Sequence, residues 1–166
     1  MNKDRKYLRV KLASEVILHN GISPEPARAV NISLGGIYVI SRYARPKGAE
    51  VELDFMLPPN QRIRAKGVVV RATQHADEKY PVGMGIQFLN LPVEGRAEID
   101  HYVRRVCRLL RALFFELNRA KINESKVLEL ATMSPIQYQY PLDILREKVT
   151  MELSYLRLRA GRSYRK

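Results

Sequence analysis

Hydrophobic residues recur every second position along the first half of this chain and every third or fourth along the second half. Val51, Leu53, Phe55 and Leu57 alternate with Glu52, Asp54 and Met56, which predicts a strand with one buried face. Similar stretches run over residues 7–19, 27–31, 37–41, 61–74 and 83–90. Pro24, Pro26, the Gly35-Gly36 pair, Pro46, Gly48, Pro58-Pro59 and Pro81 punctuate them. Short strands at this spacing predict an antiparallel barrel or sandwich, and the alternation alone goes no further than all-β.

From Glu94 the period changes. Ile99, Val103, Val106, Leu110, Leu113 and Leu117 step by four, three, four, three and four, a heptad seam on one helix face. Cys107 and Phe114 widen the stripe, and Arg104, Arg105, Arg108 and Arg111 lie off it. The Pro92-Val93-Glu94 entry suits a helix start, with acid in the first turn. A long helix is therefore expected over about 94–120. A second is expected over about 141–160, with Leu142, Leu145, Val149, Leu153 and Leu156 on one side. Residues 123–131 read as a short helix between them, 133–140 as a loop, and the basic tail 157–166 as a fraying end. Two domains result: residues 1–92, mainly β, and a helical extension over 93–166. The extension either caps the barrel and completes its core or pairs with a second copy or another protein.

The chain has 166 residues and 46% hydrophobic content, enough for one compact domain and an appendage. Its single cysteine, Cys107, excludes an internal disulfide and leaves a cysteine-based metal site without its usual ligands. No apolar stretch follows the Met1–Arg5 start and none approaches a bilayer span, so a soluble, cytoplasmic protein is expected. The formal net charge is +12. Residues 1–92 hold 14 basic and 8 acidic side chains and residues 93–166 hold 15 and 9, so each part carries +6. Such a charge favours an anionic partner without choosing among nucleotide, nucleic acid, acidic protein and lipid surface.

Two short elements carry candidate chemistry. Arg5-Lys6-Tyr7-Leu8-Arg9 sets two guanidinium groups four residues apart, and Asn31-Ile32-Ser33-Leu34-Gly35-Gly36 sets an amide and a hydroxyl at a strand-to-turn junction. Guanidinium forks match phosphate oxygens and the O6/N7 edge of guanine, and they stack on purine faces. Each element alone has a plainer reading. Two arginines at this spacing are commonly a solvated surface pair, and Asn-x-Ser-x-x-Gly is commonly a turn in which glycine supplies positive φ. Asn31-Ile32-Ser33 also fits an N-glycosylation acceptor, a match without weight where no secretory signal is read. Order, spacing and β context agree, however, and Gly83-Met84-Gly85-Ile86-Gln87-Phe88 follows downstream.

Together these motifs resemble the PilZ domain, the bacterial receptor module for cyclic di-GMP. Arg5, Arg9, Asn31, Ser33 and Gly36 fill the Arg-x-x-x-Arg and Asp/Asn-x-Ser-x-x-Gly places of that family. The resemblance covers roughly residues 3–91 and implies a six-stranded antiparallel β-barrel followed here by the helical extension. It implies that Arg5 and Arg9 hold phosphates and guanine, that Asn31 and Ser33 make polar contacts to the base, and that Gly36, with Gly35, lets the purine approach the backbone. Lys6, Arg71 and Gly85 are secondary candidates. The leader is expected to order over the barrel on binding, and the acidic Asp4 beside it leaves open whether one nucleotide or a stacked pair binds. The implied function is that of a cyclic di-GMP receptor that signals to a protein partner in motility or biofilm control.

No Ser-His-Asp order, paired carboxylate or phosphate-binding glycine loop stands out, so an enzyme is not expected. His19, His75 and His101 are scattered without metal spacing, and Cys107 reads as a small buried hydrophobe. No cofactor or metal is expected beyond the dinucleotide ligand. Two rival readings stand beside the receptor: a nucleotide-independent adaptor that assembles through its helices, and a basic nucleic-acid-binding module. The second lacks strands rich in stacking aromatics.

Overall fold

The computed structural model describes residues 7–19, 21, 23–73, 82–136 and 141–163. Six antiparallel strands close into a barrel: β1 (Val10–His19), β2 (Pro24–Ser33), β3 (Gly36–Ile40), β4 (Glu50–Leu57), β5 (Gln61–Thr73) and β6 (Gly83–Asn90). Their order around the barrel is β1-β2-β3-β6-β5-β4, and closure leaves no unpaired sheet edge. Three helices follow, α1 (Val93–Leu117), α2 (Glu124–Met133) and α3 (Leu142–Ser163). The six-stranded barrel with C-terminal helices is the architecture expected from the sequence. The chain divides into two compact units, Lys11–Tyr102 and Met1–Val10 with Val103–Lys166.

Within the first unit the alternating apolar positions turn inward. Leu12, Val16, Leu18, Ile32, Ile37, Leu53, Phe55, Val69 and Ile86 are buried, and each such side chain contributes roughly 1.5–3 kcal/mol of transfer free energy. Phe55 and Phe88 stack inside with ring centroids 6.4 Å apart. The first turns of α1 belong to this unit. Ile99 is fully buried, and the Tyr102 hydroxyl donates to the Lys11 carbonyl at 2.9 Å. Gly95 brings the helix backbone close to Ile63 of β5: a Cβ there would lie 3.7 Å from Ile63 Cγ2.

β2 differs from its sequence expectation. It begins at Pro24 rather than at residue 27, so Pro24 and Pro26 lie inside the strand. Backbone N–H directions alternate along a strand, so prolines two residues apart withhold their missing donors from the same side. Both are exposed, and the register to β3 starts only at Arg28.

On the outer surface of β4 and β5, opposite charges face each other across the ladder. Asp54 is 8% exposed and accepts from Arg62 Nε at 2.8 Å and from Arg64 Nε at 3.1 Å. The hydrogen bond from Arg62 outweighs burial and holds the Asp54 carboxyl below its ordinary value of 3.8. A carboxyl depressed in the fold stabilises it fully above the unfolded value, and that contribution is lost as pH falls through the lower folded value. Asp54→Asn is therefore expected to cost about 1 kcal/mol at neutral pH, a figure reduced for the exposure of the two arginines. Thermal unfolding between pH 6 and 2 should show a shallower acid decline in the variant. An unchanged pH slope would contradict the assignment.

In the second unit the predicted seam is present and buried: Val103, Val106, Leu110, Leu113 and Leu117 all lie inside. Val127, Leu130 and Ala131 of α2 and Leu145, Val149, Leu153 and Leu156 of α3 are buried as well. Asn123 caps α2 by accepting from Lys126 N at 3.1 Å. Arg146 Nε of α3 donates to the Leu117 carbonyl at 2.9 Å, satisfying an orphan acceptor at the end of α1. A heptad seam is thus used within one chain, and a second copy would find none of it on the surface. The helical backbone of α3 continues to Ser163, beyond the expected end near 160.

Candidate functional site

Four adjacent strands, β2, β3, β6 and β5, form one stretch of the barrel wall, and their registers place the candidate residues in rows. Ile32, Ile37, Ile86 and Val69 pair across the four strands and are buried in the interior. The row on one side of them is Ser33–Gly36–Gln87–Val68, and the row on the other is Asn31–Tyr38–Gly85–Arg71. Because side chains alternate between the two faces of a sheet, both of these rows point outward. The structure therefore brings Asn31, Ser33, Gly36, Gly85 and Arg71 onto one outer face.

Two irregularities make this possible. The ladder shifts between Ala29 and Asn31 on β2, where Val30 is the extra residue. It shifts again between Val69 and Arg71 on β5, where Val70 is extra. Ala29 and Val69 are interior residues at 1% and 0% exposure. Strict alternation would send Asn31 and Arg71 inward with them. Each bulge inserts one residue and turns the next side chain outward. Both sit against the same cross-strand row.

The face has a bare floor. Leu34 and Gly35 form the turn between β2 and β3, and Gly36 opens β3. A Cβ on Gly36 would lie 2.2 Å from the Ile86 carbonyl oxygen and 3.2 Å from Gln87 Cα. Among the described residues only Gly21 and Gly48 have positive φ. Gly36 is thus glycine because β6 crowds it, which corrects the reading of this motif as a turn that needs a left-handed residue. In the run over residues 83–88, Gly83 has the same reason: its Cβ would meet the Val39 carbonyl oxygen at 2.2 Å. Gly85 does not. Its Cβ would find Arg71 Cβ at 3.7 Å and Tyr38 Cδ2 at 3.8 Å, ordinary contacts. Gly36 and Gly85 are diagonal neighbours, and although both are buried, together they leave a trough in which two adjacent positions carry no side chain.

The polar groups around the trough are few and specific. Asn31 Oδ1 is buried and has no hydrogen-bond partner among the described residues. An acceptor left in that state costs roughly 1–3 kcal/mol. The Ser33 hydroxyl, almost fully buried, donates to the Gly36 carbonyl at 3.3 Å. The Tyr38 ring runs past Gly85 toward β5, its hydroxyl donating to Thr73 Oγ1 at 3.4 Å. Arg71 and Gln87 are exposed. The next outward row, Arg28–Ile40–Gly83–Thr73, adds a second arginine. None of the three rows contains a carboxylate, so the face suits an anion.

Of the remaining candidates, Arg9 lies immediately ahead of β1, and Gly35 sits in the turn beside the trough. Arg5 and Lys6 lie outside the described residues. The sequence reasoning did not single out Tyr38 and Gln87. A period of two counted from Gly36 along β3 and from Gly85 along β6 would have placed both on this face.

Elsewhere the chemistry is self-contained. A depression of about 880 Å³ lies over β4 and β5 and includes Glu52, Asp54, Arg64 and Lys66. Most of its charges pair with one another, as in the 3.0 Å pair of Lys66 Nζ with Glu52 Oε1, and Glu50 adds a further carboxylate. The trough, with its unsatisfied acceptor, is the better candidate site. Among the described residues no three His, Cys, Asp or Glu side chains gather as a metal site. Burial pushes the Cys107 thiol up, away from the reactive thiolate. No helix among the described residues is long and apolar enough to cross a membrane.

The family model of the PilZ domain matches residues 3–105 of the chain, more than half its length. The chain belongs to the PilZ domain family. The β2–β3 junction, the trough and the crowded glycines all fall inside the matched segment. Solved structures agree on the fold. The Bacillus subtilis inhibitor of motility MotI/DgrA superposes with a TM-score of 0.56 at 22% identity, over 66% of this chain and 53% of that one. The PilZ domain of Escherichia coli YcgR with c-di-GMP gives 0.52 at 15% identity, over 66% and 95%. Escherichia coli YcgR in complex with c-di-GMP gives 0.55 at 14%, over 64% and 47%. The shared part is thus about half of MotI/DgrA. No curated protein sequence matches the chain.

Proposed function

We propose that this PilZ protein is a cyclic di-GMP receptor and that the outer face of β2, β3, β6 and β5 is its binding site. The observation that carries the reading is the orphaned Asn31 Oδ1, set beside bare backbone at Gly36 and Gly85 on a face with arginines and no carboxylates. Guanine offers ring N1–H and amino N–H donors on one edge, and an acceptor without a partner fits them. A flat purine packs closest where side chains are absent, as at Gly36 and Gly85, with the Tyr38 ring beside Gly85. Arg71 and the leader arginines Arg5 and Arg9 supply charge-assisted bonds to the phosphates. Two PilZ structures of the same fold were solved with c-di-GMP.

Binding draws the leader across the barrel face, a change that a downstream protein reads; one solved relative is an inhibitor of motility. Motility or biofilm control in the cytoplasm is the setting that fits such a receptor, and no catalytic step is part of the proposal. Because the α1 seam is buried within the chain, a partner protein or a second copy would meet other faces of the helices. Asp4, next to the leader arginines, bears on whether one nucleotide or a stacked pair is held.

Ligand-induced stabilisation tests the reading. At free cyclic di-GMP a hundredfold above its dissociation constant, the fold should gain about 2.7 kcal/mol, with a rise in thermal midpoint of several degrees. GTP at the same concentration should give none. A midpoint that does not move with cyclic di-GMP, or moves equally with both, would contradict it.

A further inference from the structure

We infer that Gln87 is a further base-reading residue of the trough, donating from its side-chain amide to guanine O6. The inference rests on the receptor reading above. Gln87 pairs in register with Gly36 and, on its other side, with Val68. Gly36 in turn pairs with Ser33. With no side chain at Gly36, the nearest outward groups along this row are the Ser33 hydroxyl on one side and the Gln87 amide on the other. β2 and β6 are two strand spacings apart, roughly 10 Å, which is the width of a purine with a hydrogen bond on each side. The buried acceptor of Asn31 lies two residues before Ser33 on the same edge of the trough.

A base lying over Gly36 is therefore bounded on the β2 side by an acceptor, Asn31 Oδ1, and on the β6 side by an exposed amide. The other polar group of the row, the Ser33 hydroxyl, already donates to the Gly36 carbonyl at 3.3 Å. Val68 beyond Gln87 is apolar, and Gly85, the neighbour of Gln87 on the same face of β6, has no side chain. Guanine meets this arrangement with donors for Asn31 and with O6 for the Gln87 amino group. Adenine carries an amino group where guanine has O6 and an acceptor where guanine has N1–H. Held in the pose of guanine, it cannot satisfy Asn31 Oδ1 and the donating Gln87 together. The pair, rather than either amide alone, selects the base, since a glutamine that turns over can accept from adenine.

The test compares wild type, Gln87→Ala and Gln87→Glu by titration with cyclic di-GMP and cyclic di-AMP. Alanine removes the donor and should weaken cyclic di-GMP about tenfold, within the range of one specific base contact. Glutamate places negative charge against O6 and should weaken it further, about a hundredfold, while narrowing the preference over cyclic di-AMP. Gln87 is exposed, so both variants should unfold without ligand at the wild-type temperature, which separates base reading from a structural role. If wild type binds cyclic di-GMP and both variants bind within twofold of it, the role of Gln87 is overturned and the receptor reading stands. If wild type itself does not bind, both fall.

Discussion

Replacing Arg9 by alanine is expected to weaken cyclic di-GMP binding by on the order of a hundredfold or more, while the fold survives. Arg9 immediately precedes β1, so of the two leader arginines it is the one tied by a peptide bond to the barrel. Truncating one partner of a hydrogen-bonded charge pair commonly costs about 2–5 kcal/mol, which converts to a factor of thirty or more. Arg9→Lys should fall between, because a lysine keeps the charge and loses the planar fork. Equilibrium dialysis with labelled nucleotide reads the affinity, and circular dichroism checks the fold. An alanine variant with wild-type affinity would remove the leader from the site.

Gly36→Ala and Gly85→Ala should have opposite signatures. At Gly36 the new Cβ would meet the Ile86 carbonyl oxygen at 2.2 Å and Gln87 Cα at 3.2 Å, both backbone atoms of the paired strand. No rotamer relieves that contact, so β3 and β6 must separate. Overpacking of this kind costs about 1–3 kcal/mol and should lower the thermal midpoint by about 3–10 °C in a chain of this size. At Gly85 the nearest atoms are 3.7 and 3.8 Å away, so alanine should fold at or near the wild-type temperature. Its methyl group would stand in the trough, however, and cyclic di-GMP affinity should drop about tenfold. Thermal unfolding and binding measured on both variants separate the two glycines. An unshifted midpoint for Gly36→Ala would refute the crowding argument, and undiminished binding by Gly85→Ala would move the ligand off this face.

Much of this was legible in the sequence, and the parts that were not have identifiable reasons. Alternation at Val51–Leu57 gave the strand because one face is buried, and the heptad steps from Ile99 gave α1. The seam's partner was hidden: periodicity shows that a face is apolar and does not say whether another chain or the same one covers it. Asn31, Ser33 and Gly36 were recognisable by spacing. The reason for Gly36 was not, because a clash with Ile86 fifty residues later depends on strand pairing. Bulges at Val30 and Val70 add a residue without changing the local apolar pattern, so the outward turn of Asn31 and Arg71 could not be counted from either strand alone. Pro24 and Pro26 read as punctuation because their missing donors are harmful in most strands; the two-residue spacing makes them tolerable here.

Calorimetric titration of the purified protein with cyclic di-GMP, with GTP and cyclic di-AMP as controls, decides whether this barrel face holds the dinucleotide. Saturable binding at micromolar concentration or tighter is expected, selective for cyclic di-GMP, with a stoichiometry that separates one nucleotide from a stacked pair. Absence of binding, or equal binding of all three nucleotides, would contradict it.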